Sequence, residues 1–209
     1  MALIGTVPCD PVSEHAKGPF MDQSTFWHLV ERSRAEAGGD LAEQSDRLAG
    51  LLGDLPEEEI VAFDALFVAA NRALYTWEVM GAGTVIIGWL SSDVFTDFRS
   101  WVVSLGQATY ENALRNPDSL ADVEFGDIEA IGDAETFSFV AVSAFESKTG
   151  QSLWEAHPDR ESAEIDADLP AGEEFERSDD ELRRRYPRLA ARWLSNDGPL
   201  PGQLPRTLL

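Results

Sequence analysis

An all-α fold is what this sequence predicts: a single compact multi-helix domain with a long irregular acidic segment near the C-terminus. Three observations carry that expectation. Ile60, Phe63, Phe67, Ala70, Leu74 and Trp77 are spaced 3, 4, 3, 4 and 3, the period of one helix face. Capping residues open most of the apolar-periodic stretches, and glycines close them. Residues 155–181 differ: twelve acidic residues face only Arg160 and Arg177, with Pro158, Pro170 and Gly172 between them. That composition solvates a chain better than it packs one.

Residues 1–20 contain Pro8, Pro11, Gly18 and Pro19 and read as a flexible N-terminal extension, with Met21 opening "MDQSTFW" as a natural start. The helical core domain is expected over 21–154. Asp22 and Ser24 suit the N-cap of a first helix through "FWHLVERSRAEA", which Gly38 and Gly39 stop. Asp40 with Glu43 opens a second helix in the manner of a capping box, with Leu41, Leu48, Leu51 and Leu52 as its apolar positions. Pro56 at a first helical position and three glutamates behind it start the strongest element. The unbroken stripe predicts one helix of about 22 residues there, closed by Gly81.

"AGTVIIGWL" is apolar nearly all round, so periodicity alone does not separate a buried helix from a buried strand; the helical setting favours helix. Ser91 or Ser92 caps the next helix, which Gly106 ends, and Gln107 to Arg115 continues as a short one. Asn116-Pro117-Asp118 turns the chain. "DAETFSFVAVSAFESKTG" is long enough for helix despite its strand-forming residues. Residues 155–181 follow as the acidic irregular segment, with little regular structure and few packed apolar side chains. Residues 182–196 are expected to form a C-terminal helix on the core, anchored by Leu182, Leu189 and Trp193. Within it, Pro187 must sit in a first turn or break the helix. Residues 197–209 read as a tail.

The chain has 209 residues, a net charge of −22 and a pI near 4.3. That field repels phosphate, so neither nucleic acid nor an anionic membrane is an expected partner. The acidic surface suits solubility or high salt, or else a basic protein or peptide partner. No stretch has the length and apolarity of a membrane span. The single cysteine, Cys9, forms no internal disulfide and fits a reducing compartment, so a cytoplasmic location is expected.

Most catalytic templates are missing. His15, His28 and His157 show no metal-ligand spacing, so no metal is expected, and no cofactor motif is present. What remains is a constellation of carboxylates, arginine and tryptophan around "SSDVFTDFRSWVVSLG". On a helix, Phe95, Phe98 and Trp101 gather on one face and Asp93, Asp97, Ser100 and Ser104 on another. Arg99 sits apart, with no acid three or four residues away. Either it forms a structural ion pair with another helix, for which Glu78, Asp64 and Glu124 are the candidates, or it lines a pocket. In the second case Trp77, Trp89 and Trp101 are the expected walls, with Asp93 and Arg99 as ligand-binding groups. The candidate catalytic groups are Asp93, Asp97, Arg99, Glu78 and Asp64.

These residues also carry a family likeness. "MDQSTFWHLVERSRAEAGGD", "LPEEEIVAFDALF", "SSDVFTDFRSWVVSLG", "YENALRNPDSLAD" and "YPRLAARW", in that order, resemble domain-of-unknown-function family 4240, a bacterial family whose domain is sometimes paired with other modules. The resemblance covers roughly 21–194 and is weakest over 155–181. It implies that Asp93, Phe95, Phe98, Arg99, Trp101 and Gly106 belong to a family motif. Where a cysteine is expected in "GCSDD"-like stretches, this chain has Leu90-Ser91-Ser92, which argues against thiol chemistry. The family name implies no activity.

Two functions compete. The first is an acidic helical binding module for a basic protein or peptide. The second is a metal-independent enzyme acting on a small or peptide substrate, with a carboxylate as acid or base beside Arg99 in a tryptophan-lined cleft.

Overall fold

The computed structural model describes residues 21–124, 131, 134–158 and 169–194, and every described element is helical apart from one isolated backbone bridge. The expected extension at 1–20, the tail at 197–209 and the middle of the acidic segment lie outside the described residues.

The first two helices follow their capping signals. In α1 (Gln23–Glu36) the Asp22 carboxylate accepts from the Thr25 amide at 2.7 Å. In α2 (Leu41–Gly53) Asp40 accepts from the Glu43 amide at 2.8 Å. Each bond satisfies an amide that the first turn leaves without an internal partner.

The expected 22-residue helix is two helices, α3 (Glu57–Ala73) and α4 (Trp77–Ile87), with Pro56 one position earlier than expected, as the N-cap. Thr76 explains the break. It is extended, at φ −130° and ψ 153°, and its hydroxyl accepts from the Val79 amide at 3.1 Å. A β-branched hydroxyl residue makes a better cap here than a helix interior. Backbone groups freed at the elbow pair with Ala171: its carbonyl accepts from the Trp77 amide at 3.0 Å, and its amide donates to the Tyr75 carbonyl at 2.9 Å. Gly81 therefore lies inside α4 rather than closing a helix, and most of "AGTVIIGWL" is the buried second half of α4.

Next come α5 (Ser92–Ser104), capped by Ser91, and α6 (Gln107–Arg115). Gly106 joins them at φ 96°, a conformation costly for any side chain, and Glu31 supplies the missing cap by accepting from the Gln107 amide at 3.2 Å. A 3-10 helix spans Pro117–Asp122. The last apolar stretch is helical but interrupted at Phe139, giving α7 (Ala134–Ser138) and α8 (Val140–Thr149), with the short α9 (Leu153–Ala156) behind.

Phe63, Phe67, Leu74, Trp77, Phe95, Phe98 and Trp101 are all buried, as the stripe predicts. All but Trp77 join one contiguous core. Helix α2 packs between α1 and α8, and α5 against α3 and α7.

The C-terminal region departs most from expectation. In place of one helix over 182–196, α10 (Asp179–Arg185) and α11 (Pro187–Trp193) meet at Tyr186. Proline has no amide to donate and disfavours helix at the residue before it, so α10 ends and α11 starts there. Tyr186 provides no side-chain cap. Asp118, 4% exposed, does so from the 3-10 helix, its Oδ1 accepting from the Leu189 amide at 2.9 Å and the Arg188 amide at 3.1 Å. The Tyr186 hydroxyl donates to the Glu78 carbonyl at 2.7 Å, and Leu182, Tyr186, Leu189 and Leu194 are buried.

Residues 171–178 carry no helix, as expected of the acidic segment, although α9 and α10 overlap its two ends. The expectation of few packed side chains does not hold for its described C-terminal part. Pro170 is buried, and Phe175 packs beside Tyr186 with the Arg185 guanidinium 3.9 Å from its ring centre. The approach is close enough that a Cβ at Gly81 would meet both Tyr186 and Phe175. Averaged composition hid these two anchors among the acids.

Candidate functional site

Arg99 is 2% exposed and lies at the joint of α3, α4 and α5. Its Nη1 donates to the Asn71 carbonyl at 3.3 Å, its Nε to the Phe95 carbonyl at 3.4 Å and its Nη2 to the Thr96 hydroxyl at 3.0 Å. The guanidinium carbon stands 4.8 Å from the Tyr75 ring centre and 5.0 Å from that of Phe95. Asn71 is in the last turn of α3, where the helix dipole is negative, and its carbonyl also accepts from the Leu74 amide at 3.2 Å. Arg99 therefore caps α3 from a neighbouring helix, at the elbow that the stripe concealed.

Of the expected acidic partners, Glu78 packs its carboxylate against Gly172, and Glu124 is exposed. Asp64 is buried on α3 and, like Arg99, makes further interactions. The α3–α5 contact is tied by Asn71, whose side-chain amide donates to the Ser100 hydroxyl at 2.8 Å. Ser100 and Ser104 are buried rather than facing solvent with Asp93, and each hydroxyl donates to a carbonyl of its own helix.

Asp97 is half-buried on α5, while Asp93 and Glu135 beside it are exposed. The Asp97 carboxyl is pushed up to about 6, first by burial, then by the charges of Glu135 and Asp93. Three carboxylates thus share one corner between α5 and α7.

The three tryptophans do not wall one pocket. Trp101 lies in the core with its ring centre 5.5 Å from that of Phe98. Trp77 is buried with the Arg177 guanidinium 6.0 Å from its ring centre. Trp89 lines a cleft of about 110 Å³ with Leu90, Arg177, Ser178 and Asp179. Asp93, Arg99 and Trp101 have no part in it.

Residues 21–147 match the family described as "Protein of unknown function (DUF4240)". The chain belongs to that family. No curated protein and no solved structure matches it significantly. The DUF4240 match runs from α1 into α8 and includes Arg99, Asp93 and Asp97. It stops short of the 194 that "YPRLAARW" suggested, so the Ala171 bridge, Arg177 and both C-terminal helices lie beyond the matched residues. Among the described residues no group of His, Cys, Asp and Glu could hold a metal ion, and no single helix is long and apolar enough to cross a membrane.

Two residues of this DUF4240 chain escaped the sequence reading. Glu135 lies in the first turn of a short helix, where it read as an ordinary acid. Arg177 stood among acids and read as a solvated charge. The acid corner has a pH signature. Asp97 binds its proton more tightly in the folded chain, at about 6, than at the ordinary 3.8. Its contribution to stability is therefore greatest below pH 4 and is lost as pH rises through 6. Asp97→Asn should raise stability at pH 8 by on the order of 1 kcal/mol after solvent screening, and by nothing at pH 3.5. Urea unfolding of both chains at the two pH values checks this.

Proposed function

We propose that this DUF4240 chain is an acidic helical binding module that engages a basic protein or peptide. The observation that supports it best is the acid corner of Asp93, Asp97 and Glu135, where burial first and then the neighbouring charges push the Asp97 carboxyl up to about 6. A guanidinium or ammonium arriving there relieves a cost that the free protein carries. Several of the described cations are committed elsewhere. Arg32, Arg47, Arg184, Arg185 and Arg188 are already set against acids elsewhere. The excess of 38 acidic over 16 basic residues steers a basic partner from a distance. A cytoplasmic bacterial setting belongs to the same proposal. The enzymatic alternative placed a carboxylate with Arg99 in a Trp-lined cleft; Arg99 is 2% exposed, which supports a structural role for it.

An arginine-rich peptide titrated into the full chain by calorimetry tests the reading. Binding should weaken at least about tenfold between 25 and 300 mM NaCl. An affinity indifferent to salt, or no binding at 25 mM, counts against it.

A further inference from the structure

The cleft beside Trp89 holds a cation, Arg177, with no ion pair among the described residues. Arg32, Arg47, Arg115, Arg184, Arg185 and Arg188 each sit against a carboxylate. Among the described residues Arg177 makes one ring contact, with Trp77, and no hydrogen bond or ion pair. Arg34 on α1 likewise has no described acid, but Arg177 is the one that lines a cleft. The Ala171 bridge anchors the segment that carries it, and Trp77 backs its guanidinium. A guanidinium held against a ring keeps its in-plane N–H groups available for a planar two-oxygen acceptor. Trp89 and Leu90 supply an apolar wall, and the cleft of about 110 Å³ admits one small group rather than a large ligand.

We propose that this cleft binds a terminal α-carboxylate, with Arg177 as its anchor and Trp89 and Leu90 against the adjoining side chain. Asp179 on the same rim and the exposed Glu173, Glu174 and Glu176 disfavour a multiply charged anion such as phosphate. A single carboxylate joined to positive charge meets no such barrier. The C-terminal residue of a basic peptide has that chemistry, and so does a free amino acid. The peptide source rests on the basic-partner reading above; the carboxylate site does not.

The test uses the full chain, a hexapeptide of arginine and glycine ending in leucine, the same peptide as its C-terminal amide, and free leucine. Calorimetry and tryptophan fluorescence are recorded at 25 mM NaCl. The free acid should bind about tenfold more tightly than the amide, the difference expected for one charge-assisted pair. Arg177→Ala and Arg177→Gln should both erase that ratio while leaving the amide's affinity and the melting temperature in place, since this side chain makes a single ring contact. Leucine binding that depends on Arg177 supports the site with a free amino acid as its source; leucine failing while the acid peptide gains assigns the source to a peptide terminus. Equal affinity for acid and amide, or a ratio that survives Arg177→Ala, overturns the site while the acid-corner reading stands. If no probe binds, both readings fall.

Discussion

Arg99→Ala is expected to lower folding stability by about 3–5 kcal/mol, the range for emptying a large buried site or breaking a buried charged contact. The side chain is among the largest that are fully buried. Its loss takes one donor from each of the Asn71 and Phe95 carbonyls and from the Thr96 hydroxyl, and opens a void between the rings of Tyr75 and Phe95. Arg99→Lys keeps the charge, but one ammonium cannot span acceptors arranged for a planar fork, so it should recover less than half of the loss. Urea unfolding measures both variants. Affinity for the arginine-rich peptide should not change in whatever fraction remains folded. A variant as stable as the parent that has lost peptide binding would place Arg99 on the ligand instead of in the core.

A chain cut back to residues 21–158 should lose its cooperative melting transition. The removed part buries Leu182, Tyr186, Leu189 and Leu194, each of which contributes about 1.5–3 kcal/mol when fully buried. Together they rival the whole net stability of a domain, about 5–15 kcal/mol. Truncation also strips the Ala171 partners from the elbow and leaves Asp118 buried without the two amides it caps. Asp118→Ala in the full chain is the milder version and should cost about 1–3 kcal/mol. A truncated chain that melts cooperatively within a few degrees of the parent would show that the stretch matched by the family is self-sufficient and that the C-terminal helices merely decorate it.

The two predictions share an origin in what the sequence concealed. The caps at Asp22, Asp40 and Ser91 were legible because each precedes an apolar-periodic run, and the core stripe was legible because its spacing is helical. That same spacing hid the elbow. Leu74 and Trp77 keep the stripe in phase across Thr76, so periodicity reports one helix where a capping hydroxyl makes two. Arg99 was singled out correctly as needing a partner outside ordinary helix pairing. Its described acceptors include the carbonyls and hydroxyl of a helix junction that had not been foreseen, and both Arg99 and the buried Asp64 make further interactions. Asp118 looked like part of a turn, and only long-range folding reveals that it caps α11, seventy residues on. Asp97 was on the candidate list, but its distinctive setting depends first on burial and then on Glu135, which no local pattern connects to it.

The central claim, that the acid corner is an uncompensated site suited to a cation, is tested most directly by the titration of Asp97 itself. The carboxyl carbon of Asp97, followed by NMR from pH 3 to pH 8, should show a midpoint near 6 in the free chain. With saturating arginine-rich peptide that midpoint should fall toward the ordinary 3.8, because a bound cation favours the ionised form. A midpoint that stays near 6 with the peptide bound would contradict the claim.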